Sequence, residues 1–261
     1  MKKALLTLGI ALAAMTTQAQ DFRVGITGGL NSTWLLNNNV FDANDELDVA
    51  STFGGRFGIE GIYAFNEKLG VSVGLNFLSK HNQKFNGKDL PGDSSFNAIA
   101  KLSYFDIPIL FRLTSSGGSY FEIGPQIGLL GKNSFDFDKS DKNGKASVLN
   151  YSGKSFDGSY NKTNVALVFG FGADIDITDN IYITTGLRLG YSFSDVTKEY
   201  DTDNELATAT NNNDVSPLNT WAHYEDAQTT GSSSNPNNFN YQKTNRAFAG
   251  LNLGVSYKFT K

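Results

Sequence analysis

Two histidines, no cysteine and 26 Asp and Glu bound the chemistry open to this 261-residue chain. His81 and His223 are the natural general bases, with Ser79, Ser94, Asp89 and Asp226 near them in sequence. A hydrolase needs a hydroxyl nucleophile held beside such a ring, and an acid that orients the ring. No spacing in the chain fixes that arrangement, and both histidines fall in segments expected to be solvated outer loops. Alternating acids occur at Asp136, Asp138 and Asp141, and again at Asp201, Asp203 and Glu205. A calcium loop requires Asp-x-Asp-x-Asp-Gly and a distant Glu, and neither segment completes it. Zero Cys removes thiolate metal sites, disulfides and lipidation of an N-terminal Cys. These residues therefore assign no catalytic, cofactor-binding or metal site.

A third set of charges emerges only from the chain's periodicity. Beyond residue 20 the dominant repeat is two, the signature of strands with distinct faces. In the run 181–193, Ile181, Ile183, Leu187, Leu189, Tyr191 and Phe193 share one face, with Gly186, Arg188 and Gly190 on the other. In 247–259, Leu251, Leu253, Val255, Tyr257 and Phe259 alternate with Asn252, Gly254, Ser256 and Lys258. Each of these runs covers 13 residues, against the about 9–11 that a tilted strand needs to cross a bilayer. Six more follow at 22–36, 53–65, 69–80, 99–113, 120–130 and 165–177, which makes eight. Parity then places Arg23, Arg56, Glu60, Asp106, Arg112, Glu122, Asp174, Asp176 and Arg188 inside a closed barrel. An eight-stranded lumen is only wide enough to be filled by side chains, so those charges must pair. The expectation is a structural ion-pair plug.

The connections alternate in length. Short turns sit at 66–68, 115–119 and 178–180, and long polar segments at 37–52, 81–98, 131–164 and 194–245. That asymmetry is the pattern of outer-membrane barrels, with short periplasmic turns and long extracellular loops. Lipid cannot satisfy backbone polar groups, so a spanning sheet must close on itself and turn its apolar face outward. Phe22, Phe65, Phe111, Phe121, Tyr257 and Phe259 then form a lipid-facing girdle at the turn ends, with Trp34, Phe53, Phe77 and Phe193 at the loop ends. Pro108 and Pro125 fall inside two runs, where a missing N–H predicts local bulges.

The first 19 residues carry Lys2, Lys3, the apolar stretch 4–15 and Thr17 and Ala19 before a cleavage point, the pattern of a secretory leader. Its loss takes two lysines from the chain's 22 Lys and Arg and leaves 20 against 26 acids, a net charge of −6. An acidic chain of this kind disfavours nucleic acid as a partner. The segment 194–245 is acidic and rich in Asn, Ser and Thr, and it is expected to be mobile. Trp221, Tyr224, Phe239 and Tyr241 are its exceptions, suited to packing over the barrel mouth or meeting a partner.

Several segments carry a resemblance. LSYFDIPILFRL at 102–113, YFEIGPQIGLLG at 120–131, FGFGADIDITDNIYITTGLRLGYS at 169–192 and GLNLGVSYKF at 250–259 are similar to the PorT-like family of outer-membrane β-barrels characteristic of Bacteroidetes. The resemblance implies an outer-membrane barrel, and for one branch of the family a role in protein secretion to the cell surface. The sequence as a whole predicts an all-β, eight-stranded antiparallel up-and-down transmembrane barrel over residues 20–261, after a leader at 1–19. The expected role is non-enzymatic, structural or surface-interacting. The alternatives are a PorT-type secretion accessory and an outer-membrane hydrolase working through a loop His. Expected partners are outer-membrane lipid, the barrel-assembly machinery and an envelope or extracellular protein met through the acidic loops.

Overall fold

The computed structural model describes residues 21–41, 47–90, 94–140, 150–212, 214–223 and 240–259. The expected leader, together with Asp141, Tyr224, Asp226 and Phe239, lies outside the described residues. Ten strands form one sheet: β1 (Asp21–Leu36), β2 (Leu47–Ala50), β3 (Thr52–Ala64), β4 (Leu69–Leu90), β5 (Ser94–Thr114), β6 (Ser119–Ser140), β7 (Tyr151–Lys154), β8 (Thr163–Asp176), β9 (Ile181–Ser192) and β10 (Asn245–Phe259). Eight of them close a ring in the order β4-β3-β1-β10-β9-β8-β6-β5, with β5 returning to β4. Every pairing in the ring is antiparallel, and β1 against β10 completes it. No free edge remains in the ring, which is what a sheet surrounded by lipid requires.

The faces follow the alternation. Ile26, Phe57, Phe111, Phe171, Leu187, Leu253 and Phe259 point outward and exposed, while Thr27, Glu60, Arg112, Glu122, Arg188 and Asn252 are buried inside. Phe22 and Phe259 stack at the turn end, and Phe77 and Phe105 meet toward the loop end, their ring centroids 6.1 and 5.9 Å apart.

Three strands outrun the sequence expectation. β4, β5 and β6 are 22, 21 and 22 residues long, against 12 for β9. Most of the segment expected as the loop 81–98 is thus a hairpin, and the first ten residues of the expected loop 131–164 are strand. In this extension the polarity of the faces is reversed. Phe85, Phe96, Ala98, Ala100, Leu102 and Phe135 point inward and buried, while Lys80, Asn97 and Lys101 point out. A search for outward apolar residues stops where that reversal begins. β2 and β7 widen the extension by pairing with β4 and β6.

The segment expected to be mobile is folded in its described part. It contains α2 (Asp203–Asn211) and α3 (Pro217–His223), and α1 (Asn38–Phe41) lies between β1 and β2. Trp221 of α3 reaches Phe85, Phe96 and Phe135, with centroids 5.1, 5.7 and 6.4 Å away. Leu218, Val196, Tyr160 and Phe156 complete this apolar core. Asparagine amides join its backbone segments: Asn219 donates to the carbonyls of Ser159 and Lys198, and Asn39 to those of Ala222 and Asn240.

The bulges expected at the prolines are absent. Register is unchanged across Pro108 and across Pro125, although the ladders omit the pairs Gly74–Pro108 and Leu75–Ile107 on one side and Ile109–Pro125 and Leu110–Gly124 on the other. Gly74 explains part of this, since a Cβ there would stand 2.8 Å from the Pro108 Cγ. A glycine opposite the ring lets the strand absorb a missing donor without an inserted residue. Register shifts lie elsewhere, at Phe77–Leu78 and between Gly87 and Leu90 of β4 and at Gly131 of β6.

Candidate functional site

The lumen holds a ladder of charge that crosses between strands on opposite sides of the ring. At the turn end, Asp174 of β8 receives Arg23 of β1 at 2.8 Å, Arg112 of β5 at 2.7 Å and the Thr184 hydroxyl at 2.9 Å. In the middle, Arg188 of β9 donates through Nε to Glu122 and through Nη2 to Glu60 of β3, both at 2.5 Å. Ser72 adds a hydroxyl to Glu60 at 2.6 Å, and Arg112 faces Glu122 at 3.6 Å. Arg56 donates to the Asn252 amide oxygen at 2.6 Å, which Thr27 also reaches at 3.0 Å. Arginine suits this task because its planar fork reaches two acceptors at once. The guanidinium carbons of Arg112 and Arg23 also lie over the Tyr120 and Tyr182 rings, at 3.6 and 4.1 Å.

Of the nine residues that parity placed inside, eight share this lumen: Arg23, Arg56, Glu60, Asp106, Arg112, Glu122, Asp174 and Arg188. Asp176 does not. It is exposed at the last position of β8, opposite Tyr182, because the strand has already left the barrel body there. Parity fixes a side chain's face and says nothing of its height.

Two buried members were not anticipated. Arg246 donates to Asp106 at 2.8 Å and through Nε to Asn164, with its guanidinium 4.2 Å over Tyr104. It lies one residue before the run 247–259, and extending the even-numbered inner face by that step finds it. His81, expected in a solvated loop, is instead fully buried on β4, 3.8 Å from Asp106 and 3.4 Å from the Ser79 hydroxyl. Ser79 and Asp106 both approach the same ring nitrogen, Nε2, so this is not a nucleophile–base–orienter chain. Gly128 keeps space for the upper pair, since a Cβ there would collide with the Arg246 guanidinium and the Asp106 carboxylate.

His223 also departs from expectation, buried in α3 between the Tyr200 and Tyr241 rings, with centroids 5.5 and 4.5 Å away. Its Nε2 accepts from the Tyr200 backbone N–H at 2.9 Å, so Nδ1 carries the proton and donates to the Asn219 carbonyl at 2.8 Å. Burial holds this imidazole below its ordinary value, against the smaller opposing pull of the Asn219 carbonyl, Glu199 and Asp195. Tyr241 donates to Asp195, and burial together with that carboxylate raises its phenol.

Of the alternating acids, Asp136, Asp138 and Glu205 are engaged locally. Asp136 receives Lys101 and the Gly153 N–H, and Asp138 accepts from Asn150. Thr202 caps α2 by accepting the Glu205 N–H at 3.2 Å, while the Glu205 carboxylate returns to the Asp201 N–H. Among the described residues, no cluster of three His, Cys, Asp or Glu could hold a metal ion. At the turn end a cleft of about 50 Å³ lies beside Arg23, Arg112 and Asp174.

Residues 18–196 match the outer membrane protein beta-barrel domain. Among solved structures, the chain is similar to the outer membrane protein OprG from Pseudomonas aeruginosa, at 11% identity and a TM-score of 0.37, covering 94% of this chain and 98% of that one. It is also similar to Neisserial surface protein A, at 13% identity and a TM-score of 0.36, over 91% of this chain and 97% of that one. Ail from Yersinia pestis, solved with a heparin analogue, aligns at 10% identity and a TM-score of 0.32, over 92% and 99%. No curated protein matches the chain significantly. The domain match spans well over half of the sequence, and the chain belongs to the outer membrane protein beta-barrel family, its ring of strands set in the outer membrane.

Proposed function

We propose that this protein is a non-enzymatic barrel whose lumen is closed by its ion-pair ladder and whose rigid extracellular extension serves as an interaction platform. One observation carries the reading: Arg188 bridges Glu122 and Glu60 across the middle of the lumen with no measurable exposure beyond 1%. A charge so held closes the path rather than lining it, because removing one partner leaves a buried ion at a cost of about 3–5 kcal/mol. Support for the platform comes from the core beneath it, where Phe85, Phe135, Leu218 and Trp221 fix α3 over the barrel mouth. A mouth covered in that way positions surface residues for a partner without itself admitting solute.

Planar-bilayer recording of the purified chain tests the closure. The expected trace is free of steady unitary conductance, and Arg188→Ala should introduce brief openings. Stable channels in the unaltered protein would overturn the reading. Deletion of the gene with surface proteins quantified tests the secretion-accessory alternative, for which loss of surface cargo is the expected sign.

A further inference from the structure

We infer that the outer rim carries a one-sided docking row for the phosphorylated headgroups of outer-leaflet glycolipid, built by two bulges that turn Lys80 and Lys132 to the outside. The observation starts with parity. In the lower part of β4 the outward residues are odd-numbered, Val73 and Phe77 among them, and on β6 they are Phe121, Ile127 and Leu129. Unbroken alternation would send Lys80 and Lys132 into the barrel. On β4 the inserted residue at Phe77–Leu78 leaves both side chains exposed, at 54% and 42%, and reverses the parity above. On β6, Gly131 is inserted between Leu130, which pairs with Tyr104, and Lys132, which pairs with Ser103. Lys80 pairs with that same Ser103 from the other side. The two ammonium-bearing residues therefore flank one small hydroxyl residue in a single hydrogen-bonded row, two strand spacings or about 10 Å apart.

The row's place decides its partner. Immediately below it the outward surface is Phe77, Leu78, Phe105 and Leu129, an apolar and aromatic border suited to acyl chains. Lysines just beyond such a border stand at headgroup level, where each attracts anionic lipid. Lys101 and the exposed Lys162 lie beside the row, and the half-buried Lys84 above it. Three acids lie nearby: Asp136 pairs with Lys101 and cancels its charge, Asp138 accepts from Asn150, and Asp157 accepts from Asn133 and Ser155 with Lys162 close by, which leaves Lys80 and Lys132 as the uncancelled cations of the row. Lys80 and Lys132 make no ion pair among the described residues. In a chain with net charge −4, cations gathered at this level complement phosphate. This inference is independent of whether the lumen is closed.

The test is binding of labelled diphosphorylated lipid A to the full chain in neutral detergent micelles. The same lipid stripped of both phosphates, and inorganic phosphate as competitor, serve as controls. The expected result is saturable binding that weakens with added salt and is lost when the phosphates are removed. K80Q/K132Q should bind roughly 30-fold more weakly, K80R/K132R should bind as the unaltered chain does, and so should Lys198→Gln. Equal affinity for the stripped lipid, or salt-independent binding of the unaltered chain, overturns the inference even if the variants fail to fold. Equal competition by millimolar inorganic phosphate would also overturn it, by marking a free-anion site.

Discussion

The membrane barrel and the extracellular extension are the same sheet with opposite solvents. Below the bulges, Ile183, Leu187 and Leu253 face out, and Glu60, Glu122 and Arg188 face in. Above them, Lys80 and Asn97 face out, and Phe85, Phe96 and Phe135 face in. Strands β4, β5 and β6 pass through both regimes, their ladders interrupted beside the two prolines and shifted in register at the bulges. What changes is the medium outside. Lipid rewards apolar exterior and forces polar groups into the lumen, whereas water outside the extension restores the burial of apolar side chains. The two regions consequently depend on different interactions, paired charge in one and aromatic packing in the other.

Substitutions can break that contrast or sharpen it. The largest effect is expected from Arg188→Leu, which leaves Glu60 and Glu122 buried without their cation and should cost about 3–5 kcal/mol. Urea unfolding in lipid vesicles measures it, and an unchanged midpoint would mean that the ladder is not what holds the barrel. Phe135→Ala removes a ring with no exposure from the extension core and should cost about 3–4 kcal/mol there. Its sign is rapid proteolysis of the loop end while the faster-migrating unboiled band on gels, and thus the barrel, is retained. Next comes a matched pair on the outer face: Leu187→Arg, toward lipid, should cost about 2–4 kcal/mol, and Ile99→Arg, toward water, within about 0.5 kcal/mol of zero. Equal costs would erase the distinction between the two regions.

The smallest expected effect is one of pH. His223 is held neutral by burial, so its folded-state value lies below that of the open cap. Its contribution is whole above the ordinary histidine range near about 6.5 and is lost as pH falls below it, because the open cap then binds a proton that the closed cap refuses. Glu199 and Asp195 moderate the loss. Protease cleavage near α3 should therefore accelerate severalfold from pH 7.5 to pH 5, and His223→Gln should flatten that dependence.

Legibility in the sequence followed the lipid. The eight membrane runs, the short turns at 66–68, 115–119 and 178–180, and most lumen charges could be read from alternation, because an all-lipid exterior makes the outward face uniformly apolar. The extension escaped because its outward residues are Lys, Asn and Ser, which read as loop. Alternation alone puts His81 in that loop with them. Arg246 stands one residue outside a run, and Asp176 falls within one although its strand ends there in solvent.

The sequence by itself determined the number of membrane strands, their two faces and the end at which the chain's long segments gather. These follow from local alternation and from the backbone's need for pairing in lipid. The tertiary structure decided how far β4, β5 and β6 continue, where the bulges fall, which guanidinium meets which carboxylate, and that Trp221 fills the mouth. Those outcomes depend on register and on contacts between residues more than a hundred positions apart, as in Arg188–Glu60 and Arg246–Asp106. A periodicity of two carries no information about such partners; only the closed ring brings them together.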